Sequence, residues 1–226
     1  MILQSIVSVV ALSVTLLQGS MDAALPDKDI DGTLFLVNRQ HAVSEDYAPE
    51  VRKTDVYGMS QSMRDDAATA LETMFAAAKE DGVKLSTVSG YRSYSKQSTI
   101  YTRKVKTSGQ EHADRYSALP GTSEHQLGMA MDLAQKGSSQ LNSSFGDTDA
   151  GRWVDANAYR FGFIIRYQEG TEDITGYAFE PWHVRYVGVE HATAIHEFGE
   201  PLEIYVSAHR LAVYEYLIKQ TNEVHP

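Results

Sequence analysis

The chain has 226 residues, enough for one well-buried domain, and its 42% hydrophobic and 22% charged residues are ordinary for a globular protein. The net charge of -10 argues against general nucleic-acid binding, which needs a basic surface, so no nucleic-acid partner is expected. The sequence contains no cysteine, which excludes a disulfide framework, a cysteine-ligated zinc site and a lipoprotein anchor.

The N-terminal segment is apolar. Residues 2–17 carry no charge, and their length suits the hydrophobic region of a signal peptide better than a membrane span of about 20 residues. No Lys or Arg precedes this run, which is atypical for a signal peptide. The sequence therefore predicts a signal peptide or membrane anchor over residues 1–26, and hence export, with a buried helix of the folded domain as the alternative. A catalytic domain over 27–206 and a helical extension over 207–226 complete the predicted organisation.

The pattern of apolar residues and turn formers predicts a mixture of helices and short strands in chain order. Strands are expected at residues 33–38, 83–89, 129–133, 161–167 and 184–187, and helices at 62–81, 95–102, 147–160, 189–198 and 207–220. Ser62 is the expected cap of the first helix, whose apolar residues recur at helical spacing. The polar stretch 104–123 is predicted to be a long loop bordering a cleft.

A strand-to-helix junction carries the sequence SGYRS at residues 89–93. Arg92 lies in a chain short of positive charge, and it is a candidate to face a carboxylate. An ordinary surface arginine is an equally good interpretation of Arg92 by itself. Gln97 falls in the first turn of the helix that follows.

The stretch SEHQLGMAMDL at residues 123–133 puts His125 and Asp132 seven residues apart. Asp132 lies within an apolar, alternating strand, where an ionised side chain is costly unless it is paired or bound to a metal. The stretch FEPWHVRYVG at residues 179–188 supplies His183, with Glu180 three residues earlier and predicted to lie just outside the strand. Two imidazoles and one carboxylate suit one Zn²⁺ ion with a position left for water, and Glu180 is then free to take a proton.

These three stretches resemble the VanY-like D-alanyl-D-alanine carboxypeptidases and their L,D-carboxypeptidase relatives, the zinc peptidases of M15 type that trim peptidoglycan stem peptides. Their order and spacing fit over roughly residues 34–204. The resemblance implies an α+β fold, a small antiparallel sheet flanked by helices as in hedgehog and D,D-peptidases. The predicted order of helices and strands is compatible with that class.

The resemblance also implies roles for individual residues. His125, Asp132 and His183 would hold the zinc ion, and Glu180 would act as general base and then as general acid. Arg92 would meet the substrate terminus or the developing oxyanion. The remaining substrate contacts would come from Tyr91, Gln97, Ser123 and Trp182. Without the resemblance, Ser123 could equally be a local helix cap.

The expected function is removal of the C-terminal D-alanine from a peptidoglycan stem peptide, outside the cytoplasm, by a monomer that the N-terminal segment tethers to the membrane or cell wall. D,D-carboxypeptidase activity on pentapeptide is favoured. L,D-carboxypeptidase activity on tetrapeptide and cell-wall endopeptidase activity are the alternatives, because the motifs fit all three. A non-catalytic, zinc-stabilised binding module is disfavoured because Glu180 and Arg92 are both present.

Overall fold

The computed structural model describes residues 32–209. The chain divides into two compact units, Met1–Phe35 and Leu36–Pro226, and the elements below belong to the second. The predicted signal peptide or anchor and most of the predicted C-terminal extension lie outside the described residues. Within residues 32–209, no helix has the length and apolar character needed to cross a membrane.

A two-stranded ribbon and a four-stranded antiparallel sheet organise the domain. The ribbon pairs β1 (Arg52–Lys53) with β2 (Ser62–Met63). The sheet consists of β3 (Leu85–Ser89), β4 (Ala130–Gln135), β5 (Phe163–Tyr167) and β6 (Glu180–Tyr186), which pair in the order β3-β4-β6-β5. β4 and β6 are therefore the central strands, and their side chains are almost all buried.

Helix α1 (Asp65–Glu80) covers one face of the sheet. It is rich in alanine and has Asp65 and Asp66 in its first turn, which favours a helix and complements its dipole. Its buried stripe is Ala67, Ala68, Leu71, Met74 and Ala78, and it joins sheet residues in one core. The predicted Ser62 cap is wrong, because Ser62 lies in β2, where it pairs with Lys53 of β1, and the helix begins after Arg64.

The predicted loop at residues 104–123 is also wrong over most of its length. Helix α2 (Tyr94–Ser108), capped by the Ser93 hydroxyl, runs into a second helix, α3 (Gln110–Tyr116). Only Gln97 in α2 and Ala113 in α3 are buried. The apolar periodicity that normally predicts a helix is therefore missing from this helical pair.

Three further α-helices follow, α4 (Asp149–Asn157), α5 (Glu172–Thr175) and α6 (Val189–Phe198), the last with the predicted bounds. Residues 202–209 are helical as well. The strand predicted at residues 33–38 does not form. Asn38 Oδ1 instead accepts the backbone N–H groups of Gln40 and His41, which holds a turn. The α+β class, with helices around a small antiparallel sheet, is confirmed.

Candidate metal centre and active site

Asp132 and His183 are direct cross-strand partners on the two central strands. Side chains opposite each other on neighbouring strands share one face of the sheet. His183 Nδ1 lies 3.0 Å from Asp132 Oδ1, and both side chains are about 5% exposed. The costly carboxylate that the sequence places in an apolar strand is thus paired.

His125 reaches the same point from a short 3₁₀ helix, Glu124–Leu127, that ends at Gly128. Gly128 has φ +69°, and a Cβ there would lie 2.9 Å from Val51 Cγ1, so glycine permits the tight turn into β4. His125 Nδ1 lies 2.8 Å from the carbonyl oxygen of Gly90 and must donate to it. This bond leaves His125 Nε2 facing Asp132 Oδ2 at 3.3 Å.

The predicted ligand set therefore converges. One ligand atom from each of His125, Asp132 and His183 lies within 4.8 Å of the others, and all three residues are buried. Two imidazole nitrogens and one carboxylate oxygen form a donor set that suits Zn²⁺ and leaves a coordination position open. The residues present therefore fit one zinc ion.

The electrostatics of this cluster favour a cation. Burial, together with the charge of Arg92, lowers the pKa of His125 to about 4, so this imidazole is neutral at pH 7. Burial alone would also lower the pKa of His183, but Asp132 and Glu124 raise it to about 9. Two carboxylates thus stabilise positive charge where a metal ion would lie.

Glu180 is the first residue of β6 and pairs with Tyr167 of β5, so the prediction that it lies outside the strand is wrong. The register between β5 and β6 shifts between Ile165 and Tyr167, next to Pro181, which has no N–H for a regular ladder. Burial, together with the nearby Asp132 carboxylate, raises the pKa of Glu180 to about 7. A carboxyl group with such a pKa is suited to proton transfer near neutral pH.

Arg92 and Gln97 line the same cleft as the His125, Asp132 and His183 cluster, a cavity of about 790 Å³ that also includes Glu180. Arg92 Nε and Gln97 Oε1 are buried, and within residues 32–209 neither atom has a hydrogen-bond partner. Buried polar atoms are rarely left unpaired, and such atoms in a cleft mark places where a ligand can bind. Burial also lowers the pKa of Arg92.

The other predicted substrate residues are placed differently from one another. Ser123 lines the cleft and is 3% exposed, and its side chain makes no capping hydrogen bond to the 3₁₀ helix. Trp182 borders the cleft but also belongs to the hydrophobic core on the opposite side of β6 from His183. Tyr91 is not among the described residues that line the cleft.

Glu124, Arg166 and Arg185 form a buried group that sequence reasoning missed. All three side chains are 0% exposed, and Glu124 Oε1 lies 2.7 Å from both Arg166 Nε and Arg185 Nη1. Charged residues inside apolar strands, here Arg166 in β5 and Arg185 in β6, were the available signal. Such residues require partners, but the spacing does not say which ones.

With this geometry established, comparison with known proteins assigns the family. Residues 60–189 match the family model described as VanY: D-alanyl-D-alanine carboxypeptidase. The chain belongs to this family. The matched residues include Arg92, His125, Asp132, Glu180 and His183 of the cleft.

Two curated relatives of the VanY family illustrate the similarity. The chain is 44% identical to a putative carboxypeptidase, YodJ, from Bacillus subtilis, over 77% of this chain and 67% of that one. It is 40% identical to a D-alanyl-D-alanine carboxypeptidase from Enterococcus faecalis, over 79% of this chain and 67% of that one.

Two solved structures extend the comparison. The LdcB LD-carboxypeptidase has a TM-score of 0.73 and 44% identity, over 77% of this chain and 86% of that one. A VanY D,D-pentapeptidase from a VanB-type resistance cassette, solved in complex with Zn(II), has a TM-score of 0.67 and 39% identity, over 77% of this chain and 98% of that one. The chain is thus a hydrolase of the zinc metallocarboxypeptidase type, and its cofactor is one Zn²⁺ ion. Peptidoglycan, on which VanY-type enzymes act, lies outside the cytoplasm.

Proposed function

We propose that this chain is a D,D-carboxypeptidase that removes the terminal D-alanine of peptidoglycan stem pentapeptides. The observation that carries the proposal is the shared cleft, in which Glu180 and Arg92 border the cluster of His125, Asp132 and His183. Hydrolysis of an unactivated amide needs an activated water, a proton carrier and a stabiliser of the oxyanion. The cleft contains a candidate for each role.

His125, Asp132 and His183 are the proposed zinc ligands. A bound Zn²⁺ ion supplies the Lewis acidity that activates water near neutral pH and polarises the scissile carbonyl. Glu180 carries the proton: it accepts one from the water that attacks the amide carbon. When the C–N bond breaks, Glu180 returns that proton to the departing D-alanine nitrogen.

Arg92 is the proposed electrostatic partner of the substrate. Its guanidinium lies in the field of Asp132 and Glu180, and its buried Nε has no partner within the described chain. An arginine placed this way can stabilise either the oxyanion or the terminal carboxylate of the peptide.

Gln97 and Ser123 are proposed to bind the peptide backbone beside the scissile bond. Gln97 Nε2 donates a hydrogen bond to the carbonyl oxygen of Ala118 at 2.7 Å. This bond fixes the amide group and leaves Gln97 Oε1 to accept a hydrogen bond from the peptide. Trp182 and Tyr91 complete the proposed substrate residues. Trp182 packs mainly in the core, and Tyr91 is not among the described residues that line the cleft.

The choice between D,D- and L,D-specificity depends on the residue before the scissile bond. The family description and the Enterococcus faecalis relative support the D,D-activity. The similarity to the LdcB LD-carboxypeptidase supports L,D-activity on tetrapeptides as the second candidate. We also propose that the protein acts outside the cytoplasm. Its monomeric state and its tethering through residues 1–26 remain predictions.

Mass spectrometry of muropeptides tests the proposal directly. The zinc-loaded protein is incubated with pentapeptide and tetrapeptide stems side by side, with Glu180→Gln as the inactive control. Loss of one alanine from the pentapeptide alone is the expected result. Loss from the tetrapeptide would establish the L,D-activity instead, and release of a longer fragment would indicate an endopeptidase. No cleavage of either stem by protein with confirmed zinc would overturn the proposal in favour of a binding module.

A further inference from the structure

Glu124 lies between Ser123 and His125, and its carboxylate is completely buried. Its two oxygens have different partners. Oε1 accepts hydrogen bonds from Arg166 Nε and Arg185 Nη1, both at 2.7 Å. Oε2 faces His183 Nε2 at 3.4 Å. A side chain with this arrangement is in direct contact with one of the proposed zinc ligands.

The two guanidinium groups fix the orientation of the Glu124 carboxylate. Arg166 and Arg185 project from the neighbouring strands β5 and β6, so the sheet itself holds them. Hydrogen bonds between charged groups are short and directional, and two of them on a single oxygen leave the other oxygen pointing at His183.

Arg166 continues the chain of contacts beyond the site. Its two terminal nitrogens lie 2.9 and 2.5 Å from the carboxylate oxygens of Glu203, in the helical segment 202–209. Asn38 donates to the same Glu203 carboxylate at 3.3 Å. Arg166 is therefore shared between Glu124 and Glu203, and the charges of the two arginines and the two glutamates balance.

The two histidines use opposite ring nitrogens. The carbonyl of Gly90 holds His125 Nδ1, which leaves Nε2 facing Asp132. Glu124 lies against His183 Nε2, which leaves Nδ1 facing Asp132. An ionised carboxylate can only accept a hydrogen bond, so a proton on His183 Nε2 suits Glu124 and leaves the Nδ1 lone pair, like the Asp132 oxygen opposite it, free to bind a metal ion.

We propose that Glu124 is a positioning residue that holds the Nε2–H of His183 and so makes Nδ1 the metal-binding atom. This inference rests on the proposed role of His183 as a zinc ligand. Outer partners of metal-bound histidines fix the tautomer and ring orientation, and their loss typically costs 10- to 100-fold in metal affinity or activity. Arg166 and Arg185 keep the carboxylate in place. The opposing interpretation is that Glu124 only neutralises the two arginines.

Nitrogen-15 NMR of histidine-labelled, zinc-loaded, full-length protein tests the tautomer that the inference requires, without any measurement of peptidase activity. The ring signals of His183 are assigned by their absence in His183→Gln. We expect a protonated Nε2 and a metal-shifted Nδ1. A protonated Nδ1 with zinc on Nε2 would overturn the inference even if the enzyme cleaves stem peptides. The expected pattern would uphold it even if no stem peptide were cleaved.

Zinc affinity of a matched pair of variants provides the second test. Glu124→Gln and Glu203→Gln each remove one carboxylate from Arg166, but Glu203 does not contact His183 in the described structure. In competition with a chromogenic chelator we expect zinc affinity to fall 10- to 100-fold in Glu124→Gln and less than threefold in Glu203→Gln. Equal losses in both variants would overturn the inference. If Glu124→Gln does not fold, the NMR result for the unmodified protein decides alone.

Discussion

Glu180 stands directly opposite Tyr167 at the point where β5 and β6 begin to pair, three residues before His183. The irregular register that follows lets the strand present Glu180 and His183 to one cleft. Bulges of this kind commonly re-aim side chains next to active sites. The same pairing keeps Glu180 only partly exposed, which raises its pKa to about 7. Several properties of the enzyme follow from this placement.

Replacing Glu180 by glutamine should abolish proton transfer and leave the metal site intact. We expect kcat to fall roughly 10²-fold or more, because general acid–base catalysis typically contributes 10²- to 10⁴-fold. Steady-state kinetics on a synthetic stem peptide and elemental analysis of bound zinc provide the two measurements. Glu172→Gln, an exposed carboxylate paired with Arg115, is the matched control and should retain activity. Loss of zinc from Glu180→Gln would assign Glu180 to the ligands instead.

The activity should decline as the pH falls. Glu180 must be ionised to accept a proton. In the metal-free protein its pKa is about 7, because burial and the Asp132 carboxylate raise the pKa more than His183 and Arg92 lower it. A bound cation lowers the pKa of Glu180 below this value, so the acid limb of kcat/KM is expected at or below pH 7. At pH values below that pKa, kcat/KM should fall tenfold per pH unit. A rate that is flat down to pH 5, in protein whose zinc content is unchanged, would contradict this assignment.

The raised pKa of Glu180 also makes a prediction about stability. Between about pH 4.5 and 7 the unfolded chain ionises Glu180 while the folded, metal-free chain keeps it protonated, so the folded state loses stability as the pH rises. At pH 8 the full penalty applies, about 1–3 kcal/mol for this partly exposed group. Glu180→Gln should therefore melt at a higher temperature than the unmodified metal-free protein at pH 8. The difference should vanish near pH 4.5, and equal melting temperatures at both pH values would count against it.

Arg92→Ala should impair catalysis without unfolding the domain. Removal of one oxyanion-stabilising donor costs about 3 kcal/mol in other enzymes, which corresponds to roughly a 10²-fold loss in kcat. Because Arg92 faces the cleft, its loss should leave the melting temperature within about 2 °C of the unmodified protein. Arg160→Ala, an exposed arginine on the 3₁₀ helix Ala158–Phe161, is the control. A lowered melting temperature with normal specific activity would show that Arg92 is structural.

Loss of the Leu71 side chain from the core should lower the stability of the domain. Leu71 in α1 is 0% exposed and belongs to the core shared by α1 and the sheet. Leu71→Ala should cost about 2–5 kcal/mol in the free energy of unfolding, since it removes buried area and leaves a cavity. Leu119→Ala, at a side chain 40% exposed, should cost less than about 1 kcal/mol. Denaturant unfolding measures both, and equal effects would mean that α1 does not pack as described.

Local patterns in the sequence were sufficient to predict much of the site. The alternation around Asp132 placed a carboxylate in an apolar strand, and such a residue must have a partner. The short interval from Glu180 to His183 put a free carboxylate beside a candidate ligand. The bounds of α6 were also correct, because its residues follow one clear helical pattern.

Tertiary structure decided what depends on residues far apart in the chain. The helix predicted at residues 95–102 is the first part of α2, but the rest of α2 and all of α3 escaped prediction, because the pair buries only Gln97 and Ala113 and so lacks an apolar stripe. Glu124 binds Arg166 and Arg185, which lie 42 and 61 residues away in the chain. Its proposed positioning of His183 therefore depends on the pairing of β5 with β6. The sequence by itself determined which side chains could bind a metal and move a proton. The sheet decided which of them meet and which nitrogen of each imidazole faces Asp132, because pairing across strands sets distances that local spacing cannot.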